Sequence, residues 1–118
     1  MTYIKPLTDV ATMDEFKQVL MNNPGLVVAQ FSATWCVSWD ARFERIPGNV
    51  QIVLFDDTPR SEVYGALAAK GVVTGIPSLV MYRQGNLHVF APDDTLNGAK
   101  VTAVDAFFQR ILDAIVIR

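Results

Sequence analysis

The residues with the clearest chemical potential in this 118-residue chain are Trp35-Cys36-Val37-Ser38-Trp39, and Cys36 is its single cysteine. An apolar run, Leu26-Val27-Val28-Ala29-Gln30-Phe31, precedes them and fits a buried strand. A strand, a short loop and then a cysteine opening a helix is an arrangement that makes reactive thiolates. The helix N-terminus carries partial positive charge and unpaired N–H groups, and both favour S⁻ over SH. Cys36 is therefore a candidate nucleophile for thiol–disulfide exchange. The position three residues on, where a dithiol motif would carry its second sulfur, is Trp39. A mixed disulfide at Cys36 has no internal thiol to release it.

Composition removes several other classes of function. The net charge is −2, and the ten basic residues are scattered with no run of three, so no electrostatic footprint for nucleic acid exists. One cysteine and one histidine exclude an internal disulfide and make a zinc site of the common types implausible, so no metal is expected. The adjacent acids Asp56-Asp57 and Asp93-Asp94 are explained as helix-start charge and as part of a turn with Thr95. His88 is expected at the surface with no partner for base catalysis. Residues Met1 to Pro6 lack the basic and apolar regions of a signal peptide, and no apolar run approaches the roughly 20 residues of a membrane span. The expectation is a cytoplasmic protein away from membranes. Its length fits a single domain over residues 1–118, and 51% hydrophobic residues suffice for a core.

The elements that must position Cys36 follow from periodicity and punctuation. Tyr3 to Leu7 is a candidate edge strand. Thr12 and Glu15 have capping-box spacing, and Phe16, Val19 and Leu20 give a helical stripe ended by Asn22-Asn23-Pro24-Gly25. After the strand at Leu26–Phe31, a helix is expected from about Cys36 to Arg45, stopped by Pro47-Gly48. Val50 to Phe55 is a second buried strand. Thr58-Pro59 is expected to cap a helix running to Lys70, with Gly71 as its stop. Ser78–Arg83 and Leu87–Phe90 around Gln84-Gly85-Asn86 read as a hairpin. Thr102 is expected to cap a last helix, with Val104, Phe107, Phe108, Ile111, Leu112 and Ile115 on its buried face. Alternating strands and helices build a largely parallel sheet covered on both faces, which the hairpin makes mixed.

That order, with ATWCVSW after the first central strand and Gly75-Ile76-Pro77-Ser78 before the hairpin, resembles the thioredoxin family over nearly the whole chain. VVAQFSATWC matches the family's strand, loop and cysteine; GIPSLVMYRQGN matches its proline loop and hairpin; Gly98 matches a glycine before the last helix. The resemblance implies an α/β thioredoxin fold, with a central mixed sheet of about five strands flanked by about four helices. It also implies a cis Ile76–Pro77 bond facing Cys36, with the main chain of Ile76 set to pair with an extended substrate segment. The departures bear on chemistry. The family's Cys-Gly-Pro-Cys is Cys36-Val37-Ser38-Trp39 here. Gln30 stands where the family has a buried acid for proton transfer, and Ile52 where that acid has a lysine neighbour. Losing both together leaves no buried charge alone. Asp40 replaces a basic residue just after the motif, and its charge opposes thiolate formation. The short segment after Cys36 implies a truncated helix.

Two functions remain open. In one, Cys36 acts as a monothiol that exchanges with disulfide-bearing proteins, with glutathione as a co-substrate and no bound cofactor. In the other, the chain is a non-catalytic interaction module that reuses the substrate surface. The candidate partner-binding residues are Trp35, Val37, Trp39, Gly75, Ile76 and Pro77, with Trp35 partly exposed and Trp39 buried. Either reading implies a protein partner, and the chain itself is expected as a monomer or weak dimer.

Overall fold

In a computed structural model, residues 4–32, 46–55, 60–98 and 100–116 are described. Helix α1 spans Met13–Met21, strand β1 Leu26–Phe31, strand β2 Val50–Phe55, helix α2 Glu62–Ala69, strand β3 Ser78–Arg83, strand β4 Asp94–Asn97 and helix α3 Val101–Val116. The strand order is β2-β1-β3-β4. β1 runs parallel to β2 with Phe31 beside Phe55, and antiparallel to β3 with Phe31 beside Ser78. β4 completes the sheet antiparallel to β3. The sheet is mixed, as expected. Among the described residues it has four strands where about five were expected. Of the proposed edge strand at Tyr3–Leu7, Tyr3 lies outside the described residues, and residues 4–7 make one parallel bridge, Leu7 to Val53, secured by Leu7 N–H to Ile52 O (2.9 Å) and Leu54 N–H to Leu7 O (2.8 Å).

Two cores cover the two faces of the sheet, and strand alternation assigns each side chain. Leu26, Val28, Ile52, Leu79 and Met81 pack with Val104, Phe107 and Ile111 of α3. Val27, Ala29, Phe31, Val53, Val80 and Tyr82 pack with Phe16 and Leu20 of α1 and Val63 and Leu67 of α2. Every residue of β1 is therefore buried, which is why its sequence is a run and not an alternation. Phe31 stacks on Phe55 at 4.7 Å between centroids, and Phe16 meets Phe55 and Tyr82 edge-on. Such aromatic pairs add to area burial and fix the angle of α1 on the sheet.

The capping box of α1 forms as the sequence predicts. Thr12 Oγ1 accepts from Glu15 N–H at 3.1 Å, and Glu15 Oε1 accepts from Thr12 N–H at 2.9 Å. The main-chain donors of Ala11 and Thr12 hold the Glu15 carboxyl below its ordinary pKa. Gly71, at φ +75°, ends α2 as its type implies.

Four expectations need correction. The cap of α2 is Ser61, whose hydroxyl accepts from Tyr64 N–H at 3.2 Å, while Thr58-Pro59 lies outside the described residues. Thr102 lies within α3, which begins at Val101. The strand paired with β3 is Asp94–Asn97, not Leu87–Phe90, so Asp93-Asp94-Thr95 is no turn. His88 is exposed as expected, but in a loop. The cause is local. Tyr82 donates its hydroxyl hydrogen to Val89 O at 2.7 Å, drawing buried Val89 under residues 84–93. Asp93 Oδ2 accepts from Arg83 N–H at 2.7 Å and from Asn86 Nδ2 at 3.0 Å, closing that loop. A long connection held this way leaves only Asp94–Asn97 to pair.

Candidate functional site

The sheet ends where the candidate site begins. β1 finishes at Phe31 beside Ser78, so the chain enters the Trp35–Trp39 segment at the end of the sheet where Pro77 sits. Trp35, Cys36, Val37 and Trp39 themselves, with the helix expected from Cys36 to Arg45, lie outside the described residues. Gly75, Ile76 and Pro77 lie within them, in the loop between α2 and β3.

That loop is shaped by contacts from both sides. The Ile76–Pro77 peptide bond is cis. Pro77 is buried and its carbonyl accepts from Gly98 N–H at 2.9 Å. Thr74 N–H donates to Asn97 Oδ1 at 3.0 Å. At the start of the loop, Val72 N–H bonds Leu67 O at 2.9 Å and brings Val73 into the core. Gly98 makes its contact at φ +107°, a conformation that L side chains rarely adopt. Thus Asn97, the last residue of β4, and Gly98 after it clamp the loop from the next element.

Within this clamp Ile76 is half-buried against the α1/α2 core, and its main-chain N–H and C=O have no bond among the described residues. A Cβ built on Gly75 meets nothing within 4 Å. Among the described residues nothing covers the Gly75 side of the loop, which leaves one donor and one acceptor of Ile76 without a bond there. Unpaired edge groups of this kind bind extended peptide backbone.

Beneath this end of the sheet, two buried polar atoms have no hydrogen-bond partner among the described residues. They are Gln30 Oε1 and Ser78 Oγ. Gln30 is 7% exposed and lies on the α3 face between Leu54 and Leu79, while Ile52 on the same face is core. The position that the resemblance assigns to a buried acid thus holds a neutral amide among aliphatic side chains.

The sequence reading brought Gly75, Ile76 and Pro77 into the site but missed Asn97. Its only signal was the Asn97-Gly98 pair, a common turn dipeptide. Among the described residues, no group of three or more His, Cys, Asp or Glu is placed to hold a metal, and no helix is long and apolar enough to cross a membrane.

The architecture is the thioredoxin fold. The chain is similar to a mutant thioredoxin of Halobacterium salinarum NRC-1 at 21% identity, covering 94% of this chain and 91% of that one with a TM-score of 0.67. It is similar to a thioredoxin of Fasciola hepatica at 23% identity, over 88% and 97% of the two chains, with a TM-score of 0.64. A mutant thioredoxin of Entamoeba histolytica matches at 20% identity over 92% and 98%, with a TM-score of 0.63. No protein-family model matches the sequence, and no curated protein does. Likeness at these identities establishes the fold; function rests on the site.

Proposed function

We propose that this chain is a cytoplasmic thioredoxin-like protein that docks an extended segment of a protein partner on the Gly75–Pro77 loop, with Cys36 acting as a monothiol. The observation that carries this reading is the clamped loop with the unused main-chain groups of Ile76, at the sheet end where the chain leads to Cys36. In the exchange step the Cys36 thiolate, its proton already lost to solvent, attacks a partner disulfide R–S–S–R′. A Cys36–S–S–R bond forms, the original S–S bond breaks, and R′–S⁻ leaves and takes up a proton. With Trp39 in place of a second cysteine, Cys36 is regenerated by an outside thiol. Glutathione is the proposed co-substrate: its thiolate attacks the mixed disulfide, giving R–S–S–G and the free Cys36 thiolate.

A second reading is favoured by Gln30 and Ile52. With neither a buried acid nor its lysine neighbour, internal proton transfer has no carrier, and the loop would serve binding alone. Iodoacetamide alkylation of the folded protein from about pH 4 to 10 separates the two. A midpoint well below the unperturbed cysteine value of about 8.5 supports the monothiol. A midpoint at or above it, or no labelling before unfolding, leaves the interaction module. Under the module reading, Ile76→Asp abolishes partner binding while Cys36→Ser leaves function intact. Both readings expect no turnover in insulin disulfide reduction with thioredoxin reductase, and robust turnover there overturns both.

A further inference from the structure

At the end of the sheet opposite Pro77, α1 and the loop of residues 84–93 expose three large apolar side chains. Met21 is 62% exposed, Leu87 53% and Phe90 45%. Leu87 stands between two depressions. One, of about 370 Å³, is lined by Lys17, His88, Val89 and Phe90 besides Leu87. The other, of about 350 Å³, is lined by Leu20, Met21, Asn23 and Gln84 besides Leu87. Contiguous exposed apolar surface with a polar rim marks interaction sites.

The loop that presents these side chains is well ordered by its own bonds. Besides the Tyr82 and Asp93 contacts, Asn86 Nδ2 donates to Ala91 O at 3.0 Å, and His88 N–H donates to Asn86 Oδ1 at 2.9 Å. Ala91 N–H reaches His88 O at 3.0 Å, and Gln84 Nε2 reaches Asn23 O at 3.1 Å. Polar groups are paired inward while Leu87 and Phe90 point out. A surface held this way loses little conformational entropy on binding.

The rim is cationic. Lys17 lines the same depression as Phe90, and Lys70 Nζ lies 5.7 Å from the centre of the Phe90 ring. The loop's one acid, Asp93, accepts from Arg83 N–H and Asn86. Among the described residues, Asp14 and Glu15 lie in the first turn of α1 and Glu62 in the first turn of α2, with Asp14 one turn before Lys17, and none of the three lines either depression.

We propose that this pole is a second docking surface, for an acidic amphipathic peptide segment of a protein partner. Apolar side chains of that segment fill the depressions on either side of Leu87, and its carboxylates meet Lys17 and Lys70. The surface is separate from the Gly75–Pro77 loop, and its occupancy does not depend on Cys36.

The test is selection of a displayed library of random peptides of about 16 residues, a length spanning a helix-in-groove site, on the immobilised wild-type chain. Counter-selection uses Leu87→Asp and Phe90→Ser. Both sites are exposed, and unchanged melting confirms that the variants fold. The expected result is a set of peptides that bind wild type at least about tenfold more tightly than either variant, as for a hot-spot anchor. Those peptides carry net negative charge and apolar residues at helical spacing, and Lys17→Glu with Lys70→Glu weakens them. Three results overturn the proposal. They are no variant-sensitive peptides, variant-sensitive peptides without acidic bias, and reversible dimerisation by sedimentation that Leu87→Asp abolishes, which would assign the surface to a second copy.

Discussion

Gln30 offers a sharp test of how the site end of the sheet is built. Its Oε1 is buried and unpartnered among the described residues, flanked in register by Leu54 and Leu79. An unpaired buried acceptor costs about 1–3 kcal/mol. Gln30→Met removes that acceptor at similar side-chain length, and imperfect repacking offsets the gain by up to about 1 kcal/mol. The expected net effect is stabilisation of about 1 kcal/mol, a rise in Tm of roughly 3–6 °C for a chain of this size. Gln30→Glu moves in the opposite direction, with a defined pH dependence. Burial raises a carboxyl pKa, and the apolar Ile52 offers it no compensating charge. If the folded value lies about two units above the unfolded value of about 4.3, the variant loses about 2.7 kcal/mol once fully ionised. The acid is neutral in both states below the unfolded pKa, so the penalty vanishes there. It grows as pH rises through about 4.3 and levels off above the raised folded value, near pH 6–7. Urea denaturation of wild type and both variants at pH 4 and 7.5 reads this out. A Met variant that is less stable than wild type, or a Glu variant with the same deficit at both pH values, would mean that Gln30 has a partner and that the reasoning is wrong.

Other substitutions examine the two loops. Tyr82→Phe strips the donor from the buried Val89 carbonyl and is expected to cost about 1–2 kcal/mol, with faster amide exchange confined to residues 84–93; exchange unchanged there would contradict the clamp. Gly98→Ala forces an L side chain to φ +107° and is expected to cost about 1–3 kcal/mol in urea melts. Gly75→Ala, whose Cβ meets only open space, should change stability by less than about 0.5 kcal/mol while weakening partner binding at the loop. Equal losses of stability for the two glycine variants would show that the loop is not held as described.

Much of the frame was legible because its signals are local. Thr12 and Glu15 need only each other to start α1. The buried face of α3 repeats at helical spacing, and β1 reads as buried because both faces are covered. The pairing of β3 was not legible, because composition and pairing part company there. Leu87–Phe90 has the apolar character of a strand, but a tyrosine hydroxyl from β3 takes the Val89 carbonyl and draws the segment into a loop. Asp94–Asn97 has turn composition and one buried residue, Leu96, yet it forms the edge strand. Its register is set by bonds to Pro77 and Thr74 that no local pattern announces. The same long-range contacts hid Asn97 from the site while Gly75, Ile76 and Pro77 stood out as a motif.

Several contacts among the described residues shape the proline loop. Asn97, Gly98 and Leu67 supply the bonds, and the core beneath supplies the packing of Val73 and Ile76. Under the proposed function, binding at Ile76 and chemistry at Cys36 are separable, and substitutions at one are expected to leave the other measurable. The polar atoms under the same end fit this separation. In a site built for proton transfer, a buried ionisable group must have a partner and a path to the sulfur. Gln30 is neutral at every accessible pH, so the sheet here can position a bound segment while leaving the protonation of Cys36 to solvent and to the charges near it. Asp40 is the nearest such charge in sequence, and it acts against the thiolate. Against that charge, a low alkylation midpoint for Cys36 is the outcome expected if the helix that the sequence predicts from Cys36 forms, because its N-terminus favours the thiolate.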